Sequence, residues 1–109
     1  MKFEERKELV IDTIRNMDPT GEGGIYLRDV AEVVALHDDG FLRRQEVYDK
    51  AARFVGVQRH QTDIGFKYLP RIYPVTARLE SEGVIFSQLE QATEGPGNSR
   101  RRIYGFSSS

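Results

Sequence analysis

The 109-residue chain contains no cysteine, which excludes a disulfide framework, a thiolate metal site and a thiol nucleophile. Histidine is scarce as well. His37 and His60 lie far apart and neither has carboxylates at a zinc-like spacing, so no metal is expected. No apolar run reaches the length of a membrane span and no basic-then-apolar leader opens the sequence, so a cytoplasmic protein is expected. There is no internal repeat, and no low-complexity tract beyond Ser107-Ser108-Ser109. Gly21, Gly23 and Gly24 superficially resemble a phosphate-cradling loop, but no Lys-Ser/Thr follows and no strand precedes, which leaves a turn. With neither a serine elbow nor a carboxylate pair at a credible spacing, no enzyme and no cofactor is expected.

The residues present fit one globular domain, 1–109, since 39% hydrophobic and 30% charged residues suffice for a single core. The net charge of −1 conceals a division. Residues 1–40 carry five Lys/Arg against ten Asp/Glu, a net −5, whereas residues 41–109 carry eleven against seven, a net +4. Such polarity points towards nucleic acid at the basic end; solvated surface charge is the competing reading.

The chain is organised around Tyr68–Gly83 and the apolar and basic segment C-terminal to it. Ile72, Val75 and Leu79 recur at helical spacing with Thr76 on the same stripe, and Gly83 supplies a helix stop. Proline fits only the first turn of a helix without cost, so Pro74 predicts a start near Arg71–Tyr73 and a helix over about 70–82. Val84–Gln91 reads as a strand, 92–99 (ATEGPGNS) as a loop, and 100–106 (RRRIYGF) as a return strand. Upstream, Phe3–Met17 reads as a helix with Phe3, Val10, Ile14 and Met17 on one stripe, ended by Asp18-Pro19. Ile25–Leu27 reads as a short strand and Arg28 to about His37 as a second helix, with Val30, Val33 and Val34 turned inward. Phe41–Val55 reads as an amphipathic helix with Val47, Tyr48, Ala51, Phe54 and Val55 on its apolar side, ended by Gly56. Residues 57–67 read as a loop with a short helical turn. A short helix feeding a hairpin whose return strand opens with three arginines suggests an α+β fold: a winged helix-turn-helix of three or four helices with a C-terminal β-hairpin wing.

Ile72-Tyr73-Pro74, Arg78-Leu79-Glu80, Glu82-Gly83-Val84-Ile85 and the arginines leading into Ile103-Tyr104 together resemble the DNA-binding domain of the PadR family of transcriptional regulators. The resemblance covers roughly residues 70–106, with a looser fit at Gly24–Val30. It implies a winged helix, double-stranded DNA as partner, and a recognition helix that starts Leu/Ile-Tyr-Pro. This sequence has Thr76 where members usually have leucine. It also has an insertion at 41–66 between the second helix and the recognition helix, and it stops just after the wing, where many members have dimerising helices. Whether 41–56 is the inserted helix or the second helix of the motif stays open.

The residues expected at DNA are Lys67, Tyr68, Arg71, Tyr73, Pro74, Arg78, Arg100, Arg101 and Arg102. Arg71 and Arg78 are the candidates to read bases, because a bidentate arginine–guanine contact discriminates by about 1–3 kcal/mol. Lys67 and Tyr68 would touch the backbone ahead of the helix. Tyr73 either donates to a phosphate or packs against the first helix. Of Arg100, Arg101 and Arg102, strand alternation sends one to the opposite face, so two would reach phosphate; a charged edge strand that resists sheet pairing is the competing reading. Arg59 and His60 are basic but unplaced. The expected protein is a sequence-specific transcriptional regulator acting as a homodimer, since two-fold operators need two copies. Phe3–Met17 and Phe41–Val55 have the apolar surface for that interface, and a core helix is the alternative for the latter. The rival function is a winged-helix protein-interaction module that does not touch DNA. No effector ligand can be read.

Overall fold

The computed structural model describes residues 1–56, 63–90 and 101–107. Along them run α1 (Phe3–Met17), β1 (Ile25–Tyr26), α2 (Leu27–Ala35), α3 (Asp39–Phe54), α4 (Ile64–Ser81), β2 (Ile85–Leu89) and β3 (Arg102–Phe106). This is an α+β arrangement of four helices and one antiparallel sheet ordered β1-β3-β2. No helix among the described residues is long and apolar enough to cross a membrane.

Helix α1 has the expected span, with Glu4 and Glu5 in its first turn and Arg15 in its last, each favourable to the helix dipole. Val10 and Ile14 are fully buried, but Phe3 and Met17 lie at the helix ends and stay exposed, a correction to the stripe drawn from spacing. Past the helix, the buried carboxylate of Asp18 accepts the amides of Glu22 at 2.8 Å, Gly23 at 3.0 Å and Phe106 at 3.0 Å. One side chain therefore shapes the glycine turn and ties it to the last strand. That strand lies in the middle of the sheet, pairing Ile25 with Tyr104 on one side and Phe86 with Gly105 on the other. A β-carbon at Gly105 would overlap the Phe86 ring and the Gly23 Cα, so the turn can lie flat on the sheet only over glycine.

Helix α2 buries Leu27, Val30, Ala31, Val34 and Ala35, the spacing of a wide apolar stripe, while Val33 is only half-buried. That stripe meets Tyr68, Ile72, Val75 and Leu79 of α4, the most extensive contact between elements, and α1 closes the third side of the core. Helix α4 begins seven residues before the start inferred from Pro74. Its N-cap is Asp63, whose carboxylate accepts the Gly65 amide at 2.8 Å, and both Pro70 and Pro74 lie in its interior. An interior proline costs ~3 kcal/mol. Here both occupy the exposed side, and four buried anchors hold the other. The helix ends as expected, at Gly83 with φ +76° and with the Val84 amide bonded to the Leu79 carbonyl at 3.0 Å.

Among the described residues, helix α3 meets this core mainly at its start. Asp38 caps it by accepting the Phe41 amide at 3.2 Å, and Phe41 is its one buried residue, edge-on to the Tyr68 ring at 4.9 Å. Beyond Gln45 it makes sparse contact with the other elements, so the core-helix reading of Phe41–Val55 does not hold. Residues 57–62 and 91–100 lie outside the described residues, and with them Arg59, His60 and the hairpin tip; of the loop expected over 57–67, residues 64–67 instead form the first turn of α4, because Asp63 caps the helix there.

Candidate nucleic-acid interface

The exposed surface of α4 divides into two flanks and a ridge. Positions seven apart fall on one side of a helix, whereas positions two apart are separated by about 200°. Lys67, Arg71 and Arg78 accordingly share the flank facing α3 and α1, and Phe66, Leu69 and Tyr73 share the flank facing the sheet. Between them runs an exposed ridge of Pro70, Pro74, Ala77 and Ser81.

On the sheet side, Phe66, Leu69 and Tyr73 form one wall of a groove of about 420 Å³. Leu27, Arg28 and Asp29 at the start of α2 form its end, and Tyr26, Arg101, Arg102 and Tyr104 form the far wall. Phe66 and Tyr73 are more than half exposed along it. The Arg101 guanidinium lies 5.7 Å from the Tyr26 ring centre, and the Tyr26 hydroxyl donates to Glu90 at 2.7 Å, which raises the tyrosine's pKa. Arg102 donates to the Ser87 hydroxyl at 2.9 Å. As alternation requires, these neighbours take different partners, yet both line the groove. Among the described residues neither is paired with a carboxylate, and Arg100 lies outside them.

Arg28 is a different case. Its guanidinium contacts Asp63 at 2.6 Å and both Asp29 and Glu32 at 2.8 Å, so that end of the groove is neutralised. Asp63 is held below the usual carboxylate range, chiefly by its hydrogen bond from Arg28.

The α3-side flank is basic but largely engaged. Lys67 donates to Gln45 at 3.1 Å. Arg78 is exposed and pairs with Glu82 at 2.9 Å, a carboxylate also held by Lys7 at 3.0 Å, and the two cations together lower its pKa, Lys7 the more. Arg71 is half-buried, its guanidinium 4.9 Å from the Phe41 ring centre and 5.7 Å from that of Tyr68. It braces the root of α3.

Tyr68, expected at the DNA backbone, is fully buried. Its hydroxyl donates to Asp38 at 2.7 Å and accepts from Arg6 Nε at 2.9 Å, joining α1, the α3 cap and α4. It lies on the inward stripe with Ile72, Val75 and Leu79, so it packs in the core and does not face solvent. Burial raises its pKa, and the Asp38 hydrogen bond adds to the rise. Burial alone would raise Asp38 too, but the Tyr68 hydroxyl and the Phe41 amide outweigh it and hold Asp38 low. Tyr73 turns towards the sheet and not towards α1, which removes the α1-packing alternative. Pro74 and Tyr73 occupy mid-helix and not its amino end, because the helix starts at Ile64.

Spacing arguments miss Tyr26, Arg28 and Phe66. Phe66 has a usable signal, since Asp63 is a favoured N-cap residue three positions before it. Arg28 meeting Asp63 is a contact between distant segments with no local mark.

No family model matches the chain, and neither a curated protein nor a solved structure matches it significantly. The surface's role rests on its own chemistry.

Proposed function

We propose that the chain is a winged-helix protein that binds double-stranded DNA as a sequence-specific transcriptional regulator, with α4 in the major groove and the β2–β3 hairpin as the wing. The observation that carries this reading is the common groove of α4 and β3, which sets Tyr73 opposite Arg101 and Arg102. The element order supports it as well. A helix, a short strand, a second helix, a reading helix and a hairpin succeed one another, with the first strand paired to the hairpin's return strand. In this reading α3 is the inserted helix, since α4 packs directly on α2.

A major groove about 12 Å wide admits a helix whose leading edge is slim. The ridge Pro70, Pro74, Ala77 and Ser81 is slim, and apolar contacts of this kind suit thymine methyl groups. Lys67 on one flank then reaches one phosphate strand while Arg101 and Arg102 reach the other. Arg78 and Tyr73 remain for base edges, so much of the sequence preference would come from groove shape. A single helix and wing cover little DNA, and the reading calls for two copies. Fluorescence titration of labelled duplex at two salt concentrations tests it. The regulator requires affinity that falls steeply with salt; a chain that ignores duplex even in dilute buffer is not one.

A second reading has its own support. The α4 ridge carries no long polar reader, Arg28 is neutralised by three carboxylates, and Phe66 and Tyr73 expose apolar surface. A protein-interaction module would use the same groove for an apolar partner segment, and the titration would then show no duplex binding.

A further inference from the structure

Tyr73 and Phe66 of α4 carry flat rings that an intact duplex does not use. Base edges and phosphates engage the Tyr73 hydroxyl, but neither meets an aromatic face. Among the described residues both rings stay exposed along the groove, Tyr73 at 53% and Phe66 at 59%. Leu69 lies between them and continues the same apolar wall.

The opposite wall is cationic. Arg102 gives one N–H to the Ser87 hydroxyl, and the Arg101 guanidinium lies over the Tyr26 ring, so each keeps donors for an anion. Arg28, also on the groove, is already held by Asp29, Glu32 and Asp63. The available positive charge is therefore on one wall, with an aromatic ring across from it.

That pairing selects the occupant. A phosphate alone, free or in a duplex, satisfies the arginines and leaves the rings in water. An apolar peptide segment covers the rings and leaves two guanidinium groups beside it without an anion. A nucleotide whose base is unpaired satisfies both walls, since the base offers a flat face and the phosphate offers acceptor oxygens. The volume of about 420 Å³ is near the lower end of the range of about 300–1,000 Å³ for small-molecule sites, which suits one nucleotide and not a run of them. Phe66 is seven residues before Tyr73 and so about 10 Å away along the helix, too far for the two rings to clamp one base. Tyr73, opposite Arg101 and Arg102, is the ring that stacks, and Phe66 bounds the apolar end of the groove.

We infer that the groove between α4 and β3 captures one unpaired nucleotide of a bound DNA strand, its base stacked on Tyr73 and its phosphate held by Arg101 and Arg102. On the DNA reading, on which this rests, the two arginines already hold one phosphate strand, and the nucleotide belongs to that strand. Its base is unpaired beforehand and is not levered out of an intact pair. Stacking on one aromatic side chain is worth about 5- to 150-fold in affinity (~1–3 kcal/mol at about 1.4 kcal/mol per tenfold), and extruding a paired base consumes a gain of that size. The preferred partner is thus a duplex interrupted by an unpaired nucleotide.

Fluorescence anisotropy of the full chain with three labelled duplexes tests this. One is fully paired, one has a single bulged deoxyadenosine, and one has an abasic bulge that keeps the kinked backbone without a base. The deoxyadenosine bulge should bind at least ~10-fold more tightly than either of the others. Tyr73→Phe keeps the ring and should keep that preference. Tyr73→Leu keeps apolar bulk without a flat face and should reduce the preference to within ~2-fold, with helix content by circular dichroism matching the parent. Equal affinity for the paired and bulged duplexes overturns the inference and leaves the DNA reading standing. Equal affinity for the two bulges does the same, because the chain then prefers a bent backbone and not a base. A preference that survives Tyr73→Leu also overturns it, as does adenosine 5′-monophosphate binding as tightly as the bulged duplex, which would make a free nucleotide the occupant. Failure to bind any of the three duplexes removes the DNA reading itself, and this inference with it.

Discussion

Helices α3 and α4 make an instructive pair. They are of similar length, 16 and 18 residues, adjacent in the chain, and each capped by an aspartate whose carboxylate takes an amide of the first turn. Yet α4 buries Tyr68, Ile72, Val75 and Leu79 against α2 and α1, whereas α3 buries Phe41 and then departs from the core. Propensity runs the other way. The helix carrying two interior prolines is the integrated one, and the one free of proline stands out. Tertiary burial decides which helix belongs to the core, and periodicity reports only that a face is apolar.

The largest expected contrast comes from truncating one residue in each. Leu79→Ala should cost about 2–5 kcal/mol in urea denaturation because it leaves a cavity under α4. Val47→Ala, measured at concentrations too low for association, should cost under ~0.5 kcal/mol. Equal losses would mean that α3 is packed after all. Next is the joint between the two helices. Asp38→Ala leaves the Tyr68 hydroxyl, Arg6 and the Phe41 amide without their acceptor and should cost about 2–4 kcal/mol. The same group sets a pH dependence. Its folded pKa is depressed below the unfolded value of about 3.9, so its contribution is complete above that value and is lost as pH falls through the folded pKa. Asp38→Asn should flatten the loss of stability below about pH 4, and an unchanged acid limb would rule out this carboxylate as its source. A gain comes third. Pro74→Ala restores an amide on the exposed side of α4 and should raise stability by about 1–2 kcal/mol, less than the full ~3 kcal/mol because proline also restricts the unfolded chain. Smallest is the β3 side of the groove. Arg101→Ala should lower the salt slope of duplex binding by about 1 with stability unchanged, whereas Arg71→Ala should lower stability through the Phe41 contact.

Much of the frame is legible in the sequence because it rests on local rules. The span of α1, the end of α4 at Gly83 and the two hairpin strands come from periodicity, the residue before proline and glycine's freedom at positive φ. The start of α4 is not legible from Pro74, because the cost of that proline is offset by burial on the opposite side of the helix. The Asp63 cap is the better local sign. Two of the site residues differ from expectation for related reasons. Tyr68 reads as preceding a helix when it lies inside one, and Arg71 reads as a free charge when the neighbouring Phe41 and Tyr68 rings decide its position. Tyr73, Arg101 and Arg102 do come together on one groove, which spacing in the sequence anticipates only as a shared surface.

The strand in the centre of the sheet is the last of the described strands in sequence, and both of its neighbours wait for it. Ile25 cannot find Tyr104, nor Phe86 its Gly105, until residue 106 has been made, and the Asp18 carboxylate must hold its place for an amide 88 positions downstream. The helices can collapse early on the ribosome, but the sheet closes only once synthesis has passed the final strand. A nascent or clipped chain lacking β3 therefore presents two unpaired strand edges, and proteolysis at the hairpin should unravel the far side of the molecule along with the near one.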